Sequence, residues 1–478
     1  MQSKSYMHNK YEVVIGMEIH AQLKTKTKMF CACAVSFGAQ ANTNVCPICM
    51  GLPGTLPTVN AQAIALAIRA SLALNCQIRP KSTFARKHYF YPDLPKGYQI
   101  TQYKEPLAYE GFIEINRAQI RIRRLHLEED SGKSIHAGNE SLVDFNRCGV
   151  PLIEIVTEPN ITSPDQAVQY LHELRQILNY LEVSDCDMEK GHFRCEPNIS
   201  LRPIGQKQFG VRTELKNLNS LRNVREGLEF EINRQTKLLN EGKAVQQETL
   251  YWDEQTKTSG TMRTKEESED YRYFPEPDLP VMNITEKMIN TIKSNLPLLP
   301  AQRKQQLIRQ YQISPQIAEV IIETKEFADY YDATVKHCPN AKLVANWLTT
   351  EVRAVLNQQI ISINDFKIKP QQLAQLLNLL SENKITGKNA KQIFEQMVTT
   401  NKSAQEIAKT QNLLSIEDDA LLTNIAQEVI RENPDIVTKY RQGKTSVIGY
   451  LTGLVVKKSQ GKLNPQKITR TLQQYLNT

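Results

Sequence analysis

No apolar run in these 478 residues approaches the ~18 residues a membrane span needs. The start, MQSKSYMHNK, is polar and has no hydrophobic stretch of the kind a secretory signal carries, so the expected location is cytoplasmic, with thiols kept reduced. There is no P-loop: GKS at 132–134 and GKTS at 443–446 both lack the upstream glycine. No G-x-G-x-x-G follows a strand pattern, and no G-x-S-x-G elbow occurs. Those absences leave out Walker-type and dinucleotide-type nucleotide sites and the nucleophile elbow, so any ATP this chain binds sits in another kind of site. The net charge of +8 is modest for the length and does not imply an all-over basic nucleic-acid binder. No internal repeat or low-complexity tract is present.

What is there reads as globular and multi-domain, with 40% hydrophobic and 23% charged residues over a length that suggests roughly two to four domains. The first ~290 residues alternate as strands in YEVVIGMEIHAQL, AQIRIRRLHLEE and GVPLIEIVTEP. Between them stand helical patterns: TVNAQAIALAIRASLALNC, SPDQAVQYLHELRQILNYLEV with its Ser cap and Pro, and SLRNVREGLEFEINRQTKLLNEGK. YRYFPEPDLPV at 271–281 reads as an ordered functional loop or a domain seam. After ~295 strand patterns give way to helical ones, among them SPQIAEVIIETKEFADYYDATV and NAKLVANWLTTEVRAVLNQ, with a further break near TTNKSAQEIAKT. The expected class is α+β: a β-rich domain at 1–294, an all-α domain at 295–402 and a small all-α tail at 403–478.

Four of the nine cysteines form two close pairs, Cys31 and Cys33, then Cys46 and Cys49, in KMFCACAVSFGAQANTNVCPICMGLPG. Zinc takes four soft ligands in a tetrahedron, and two such pairs supply them. A disulfide framework fits a reducing compartment poorly, and a redox pair fits a lone C-x-x-C better. Four small buried hydrophobes remain as the plain alternative. A zinc here would be structural, because no fifth group marks an open position.

The strands carry the chemistry. Glu18 and His20 are two apart and share a face, as do His126 and Glu128, while Glu129 points the other way. Glu154 is the one charged residue in VPLIEIV. A buried carboxylate is costly unless it is paired or bound to a metal. Three carboxylates and an imidazole on neighbouring strands suit Mg²⁺, a hard cation that takes oxygen ligands and substrate phosphates. The competing reading is a set of salt bridges to Arg121, Arg123, Arg124 and Arg147.

Two further segments suit a polyanion. FARKHYFYPDLPKGYQITQ (84–102) mixes Arg86, Lys87, His88 and Lys96 with aromatics. In EKGHFRCEPNISLR the residues Arg194, Glu196, Asn198 and Ser200 share a strand face, and the next strand offers Arg212, Glu214 and Lys216. Such faces line a wet cleft or lie open to solvent; the cleft makes Lys96, Arg194, Glu196, Arg212 and Glu214 candidate substrate contacts. From Ile436 to Thr478 there are eight Lys/Arg and no Asp/Glu, which suits a phosphate backbone or a solvated helical face. There Gly449 and Gly453 put a small-residue face on one helix.

Taken together, YEVVIGMEIHAQLKTKTKMF, CPICMGLPGTLPTVN, YFYPDLPKGYQITQ, HLEEDSGKS, NRCGVPLIEIVTEP, EKGHFRCEPNISLR, RTELKNLNS, DYRYFPEPDLP and the tail IGYLTGLVVKKSQGKLNP resemble, in order and over essentially the whole chain, the B subunits of the aspartyl/glutamyl-tRNA amidotransferases. The resemblance implies a cradle domain distantly related in fold to glutamine synthetase, then a helical domain and a tail that contacts tRNA. It implies the kinase/transamidase component of a heterotrimer whose other members are the amidase (glutaminase), or A subunit, and the small C subunit. ATP would phosphorylate Glu on tRNA(Gln) or Asp on tRNA(Asn), and ammonia passed through a channel would displace the phosphate. The chain has no recognisable glutaminase nucleophile of its own, which suits ammonia from a partner. The resemblance places Mg²⁺ at Glu18, His20, Glu128 and Glu154, with Glu129 the substitute for Glu128, and Lys87 near the channel mouth. It also puts the four cysteines in the zinc-bearing branch of the family. Two rivals stand beside it: a non-catalytic RNA-binding zinc protein, and a stand-alone ligase using free ammonia.

Overall fold

The computed structural model describes residues 10–138, 140–264, 271–400, 402–414, 419–459 and 463–477. Asp270 of the DYRYF motif and residues 460–462 of the tail motif lie outside them. The chain forms two compact units, Met1–Pro300 and Ala301–Thr478.

The strands of the first unit are β1 (Tyr11–Gln22), β2 (Gln77–Ile78), β3 (Lys81–Ser82), β4 (Ala85–His88), β5 (Tyr98–Thr101), β6 (Ala108–Ile115), β7 (Ala118–Glu129), β8 (Lys133–Ala137), β9 (Glu140–Asp144), β10 (Pro151–Thr157), β11 (Phe193–Pro203), β12 (Thr213–Lys216), β13 (Glu248–Asp253), β14 (Thr258–Thr264), β15 (Phe274–Pro275) and β16 (Met282–Asn283). Its helices are α1 (Ala61–Ala73), α2 (Pro164–Tyr180), α3 (Leu221–Asn240) and α4 (Glu286–Ser294). Nine strands make one sheet in the order β14-β13-β12-β11-β1-β10-β7-β6-β2. All its pairings are antiparallel except β12 with β13. A smaller sheet, β15-β4-β5, carries the 84–102 segment.

Side-chain parity divides the large sheet. Along β1, Ile15, Met17, Ile19 and Ala21 are buried and join a core with Leu66 of α1, Leu171 and Leu174 of α2, and Leu228 and Ile232 of α3. Burying each large aliphatic contributes ~1.5–3 kcal/mol, so a one-residue slip of β1 would cost several such terms. That fixed register turns Glu18 and His20 to the opposite face. The helices start where the sequence marks them: the Ser163 hydroxyl accepts from Gln166 N–H, with Pro164 following, and the Ser220 hydroxyl accepts from Asn223 N–H.

The second unit is helical among its described residues: α5 (Pro300–Tyr311), α6 (Pro315–Ile321), α7 (Lys325–Val335), α8 (Ala341–Trp347), α9 (Arg353–Gln359), α10 (Pro370–Ser381), α11 (Gly387–Thr400), α12 (Ala404–Thr410), α13 (Asp419–Glu432), α14 (Pro434–Arg441), α15 (Ile448–Lys458) and α16 (Pro465–Asn477). The pattern SPQIAEVIIETKEFADYYDATV breaks into α6 and α7 because the Thr324 side chain caps α7, accepting from Phe327 N–H. A π-helical turn at Leu348–Val352 joins α8 to α9. Helix α12, expected in the tail domain, packs on α10 and α11 and buries Ala404, Ile407 and Ala408. A separate small core unites α13, α15 and α16 through Leu422, Val429, Leu451, Val455, Ile468 and Leu472.

Candidate active site and metal clusters

The register of four adjacent strands writes one row of polar side chains across the sheet. Arg194 of β11 pairs with His20 of β1, His20 with Glu154 of β10, and Glu154 with His126 of β7. The neighbouring row places Glu196 opposite Glu18. The next sets Asn198 opposite Glu214, and Glu214 opposite Thr249. These rows line a cleft of about 450 Å³, with Lys87, Tyr271 and Tyr273 also on its wall.

Within the cleft the acidic groups sort into two clusters. His20, Glu128 and Glu154 bring one ligand atom each within 4.8 Å of one another, and so do Glu18, Glu196 and Glu214. The four residues expected around one Mg²⁺ are thus divided: Glu18 stands with Glu196 and Glu214, which the sequence placed among substrate contacts. Register is the reason, because Glu18 faces Glu196 directly whereas Glu154 faces His20.

In the first cluster His20 Nε2 lies 3.3 Å from Glu128 Oε1 and 3.5 Å from Glu154 Oε2. His126, which the sequence placed on the Glu128 face but not in the site, reaches Glu154 Oε2 at 3.3 Å. Its Nδ1 is buried without a partner. Burial works against a charged His20, but Glu128 and Glu154 outweigh it and raise its pKa to about 10. Burial also works against ionised Glu128, yet His20 and His126 hold its pKa down at about 2. Protonated His20 therefore balances the carboxylates. A cation bound there would displace that proton.

In the second cluster burial, then the charges of Glu154, Glu214 and Glu196, raise the Glu18 pKa to about 7. Lys216 Nζ lies 2.6 Å from Glu196 Oε2 and 3.3 Å from Glu214 Oε1. Burial would raise the Glu196 pKa, but the Lys216 ammonium overrides it and brings it to about 2. Thr249 Oγ1 donates to Glu214 Oε2 at 2.8 Å. Oxygen-rich, partly compensated and open to a cleft, both clusters have a donor set that fits a hard divalent cation.

The salt-bridge alternative accounts for little of this. Arg124 reaches Glu154 only at 3.7 Å, while Arg123 pairs with Glu158 and Arg147 with Asp130. Arg194 lines the cleft and holds Asp130 at 3.1 Å, and Arg212 lines it from an exposed position. Lys87 points in over the Tyr271 ring, with Nζ 4.6 Å from its centre. Lys96 does not belong to the cleft: its ammonium is buried against the Glu129 carboxylate, which also accepts from Ile100 N–H at 2.9 Å. That pair lies on the far side of β7, so Glu129 does not substitute for Glu128. Tyr271 and Tyr273 were missed as site residues, because nothing in a Pro-rich segment fixes which way a side chain points. Their segment is tied down by Arg86, whose guanidinium donates to both Glu276 oxygens at 2.8 Å, and Tyr273 stacks on Tyr103 with centroids 4.1 Å apart.

The four cysteines also converge. Cys31, Cys33, Cys46 and Cys49 place their sulfurs within 4.8 Å of one another, and all are free thiols. The hydrogen bond from Cys31, together with Cys46 N–H and Lys28, holds the Cys49 pKa down at about 4 against the effect of burial. Lys28 is fully buried, with Nζ 3.5 Å from Cys49 Sγ and 3.2 Å from the Phe145 carbonyl. The knuckle is stitched to the segment leading into β10: Met29 N–H donates to Gly149 O at 2.7 Å, and Asn42 N–H to Asp144 Oδ1 at 3.0 Å. Four convergent thiols with a cation beneath them fit a tetrathiolate zinc site.

Residues 13–290 match the family described as the GatB/GatE catalytic domain, and residues 329–476 match the GatB domain. The chain belongs to the GatB/GatE family. It is 46% identical to the B subunit of the aspartyl/glutamyl-tRNA(Asn/Gln) amidotransferase of Thermodesulfovibrio yellowstonii, over 97% of this chain and 98% of the relative. It is 45% identical to the protein of the same name from Persephonella marina, over 98% and 99%. A third such protein, from Brevibacillus brevis, is 45% identical over 98% of this chain and all of its own length. The catalytic-domain match spans both carboxylate clusters and the cysteine knuckle of this GatB/GatE chain. None of its helices, among the described residues, is long and apolar enough to cross a membrane.

Proposed function

We propose that this chain is the B subunit of an aspartyl/glutamyl-tRNA(Asn/Gln) amidotransferase, a ligase component that amidates an acidic amino acid carried on tRNA. The observation that carries the reading is the pair of carboxylate clusters facing one cleft on a single sheet. A pure RNA-binding protein has no use for Glu128 and Glu154 buried in the middle of a sheet.

A carboxylate is a poor electrophile, so the substrate side chain is first phosphorylated by ATP. Its oxygen takes the γ-phosphoryl group, ADP leaves, and an acyl phosphate forms. Ammonia then attacks the acyl carbon, phosphate leaves, and the amide remains on the tRNA. His20, Glu128 and Glu154 would hold one Mg²⁺, and Glu18, Glu196 and Glu214 a second. Bound there, Mg²⁺ would neutralise phosphate charge. Lys87, Arg194 and Arg212 offer positive charge along the same wall. Tyr271 and Tyr273 on the cleft wall would shield an acyl phosphate from water.

The reading extends to the whole chain. Residues 1–294 act as a cradle-shaped catalytic domain akin to glutamine synthetase, 295–402 together with α12 as a helical domain, and the remainder to 478 as a basic tRNA-contacting tail. Ammonia comes from the amidase, the A subunit of a heterotrimer completed by the small C subunit, in the cytoplasm. Zinc at the cysteines is structural. The test is ATP hydrolysis by the chain co-expressed with its amidase partner. Stimulation by Glu-tRNA(Gln) or Asp-tRNA(Asn), and not by the correctly charged tRNA, is expected. No turnover under any tRNA would overturn the reading.

A further inference from the structure

A second cavity, about 880 Å³, opens beside the catalytic cleft and shares Arg194, Glu196 and Lys216 with it. One wall is the loop between the two cysteine pairs, residues 35–39. Phe37 stands on that wall with 68% of its surface exposed, an unusual place for a large apolar ring on a loop otherwise built of small residues. It is nevertheless held in place. The ring meets His192 edge-on, with centroids 5.5 Å apart and planes at 84°, and Lys190 Nζ lies 5.7 Å from its centre. His192 is itself fixed by Asp185, 2.9 Å from Nδ1. The free face of Phe37 is a stacking platform. Asn217 and Asn219 also line the cavity, and their amides suit the donor and acceptor edge of a base. Lys133 adds positive charge on the way to the shared Arg194 and Lys216, while Lys190 is paired with Asp187 at 2.8 Å.

We propose that this cavity binds an adenosine group, its base stacked on Phe37, with the attached phosphate or ester directed past Arg194 and Lys216 into the catalytic cleft. The proposal rests on the functional reading above, under which two substrates carry adenosine: ATP, and the tRNA through its 3′-terminal nucleotide. The cysteine knuckle then acquires a definite role, because its two ends fix the loop that presents Phe37. A polar cleft with an aromatic platform is how nucleobases are held without sequence readout, and loss of one such stack weakens binding by roughly ten- to a hundred-fold.

The experiment uses the complex with its partner subunits and three forms of this chain: wild type, Phe37→Ala and Phe37→Trp. The KM for ATP and the KM for Glu-tRNA(Gln) are measured separately, and AMP binding is followed by calorimetry. Phe37→Ala should raise one KM at least about tenfold with kcat within about twofold, and Phe37→Trp should restore it. A rise in the ATP KM with loss of AMP binding assigns the cavity to ATP; a rise in the tRNA KM alone assigns it to the tRNA terminus. Both KM values unchanged, or a fall in kcat alone, would overturn the proposal. If the wild-type complex shows no tRNA-dependent turnover, the functional reading fails. The calorimetric comparison then decides the cavity: loss of AMP binding in Phe37→Ala supports it, and AMP that binds wild type and variant equally, or neither, overturns it.

Discussion

His20 and Glu154 are direct cross-strand partners in the β1–β10 ladder, with Nε2 and Oε2 3.5 Å apart. Antiparallel register alone brings them together, and the hydrophobic parity of both strands locks that register. Glu154→Gln keeps the size of the side chain and removes its charge. It should lower tRNA-dependent ATP hydrolysis by about 10²-fold or more, as loss of a charge-stabilising group at a transferring phosphoryl does. Glutamine hydrolysis by the amidase partner, measured alone, should persist. Unchanged ATP turnover in this variant would remove Glu154 from the metal site.

Much of this site was readable in the chain because strands have a period of two. Glu18 with His20, and His126 with Glu128, announce shared faces, and Glu154 announces itself as the one charge in an apolar run. Strand order was not readable. Nothing in the sequence says that β1 lies between β10 and β11, and that placement decides whether Glu18 stands with Glu154 or with Glu196. Lys96 shows the other limit. It lies in a Pro/Gly turn outside any strand, so parity does not apply, and a buried carboxylate on the far face of β7 captured it.

The Glu18 carboxyl, raised to about 7 by burial and by Glu154, gives the metal-free protein a pH signature. An acid whose folded pKa lies above its ordinary 4.5 binds its proton more tightly when folded. Its favourable contribution is fully present below pH 4.5 and is lost as pH rises to about 7. Thermal unfolding of the first unit in EDTA should therefore shift to lower temperature across that window. Glu18→Gln should flatten the slope there. A wild-type slope retained in the variant would assign the effect to another group.

The Arg86–Glu276 pair ties the segment carrying Tyr271 and Tyr273 to β4, the strand that carries Lys87. Glu276→Gln puts a neutral amide at the buried end of this pair and leaves the half-buried guanidinium with Asp278, 3.1 Å away, as its charged acceptor. With that latch weakened, the segment that places Tyr271 over Lys87 is held less firmly. The expected result is a drop of about tenfold in kcat/KM for amidation, with Mg²⁺ dependence unchanged. A variant in which Mg²⁺ affinity falls instead would place the effect in the carboxylate clusters.

Zinc content tests the knuckle directly. The purified chain should carry one zinc, and Cys49→Ser should lose most of it, since Cys49 is the most buried of the four ligands. Chelation should lower the unfolding temperature of the first unit, because Met29 and Asn42 link the knuckle to the segment ahead of Glu154. A chain that folds normally, binds no zinc and resists EDTA would return the cysteines to plain packing residues.

The tail supplies the last test. Gly449 and Gly453 sit on α15 with open space where a Cβ would point, beside an exposed Tyr450. In an isolated helix, replacing each by alanine stabilises by ~1 kcal/mol. Nothing inside the tail requires them to be glycine, so the absent side chains matter only if something approaches that face closely. Paired Gly449→Ala and Gly453→Ala substitutions should raise the stability of the tail and, at the same time, weaken tRNA binding measured at fixed salt. Lys457 and Lys458, at the end of the same helix, should contribute through phosphate charge: their replacement by glutamine should reduce the slope of log affinity against log salt by about one for each phosphate no longer neutralised. Glycine variants that gain stability and bind tRNA as tightly as wild type would mean that the RNA approaches the tail on another side.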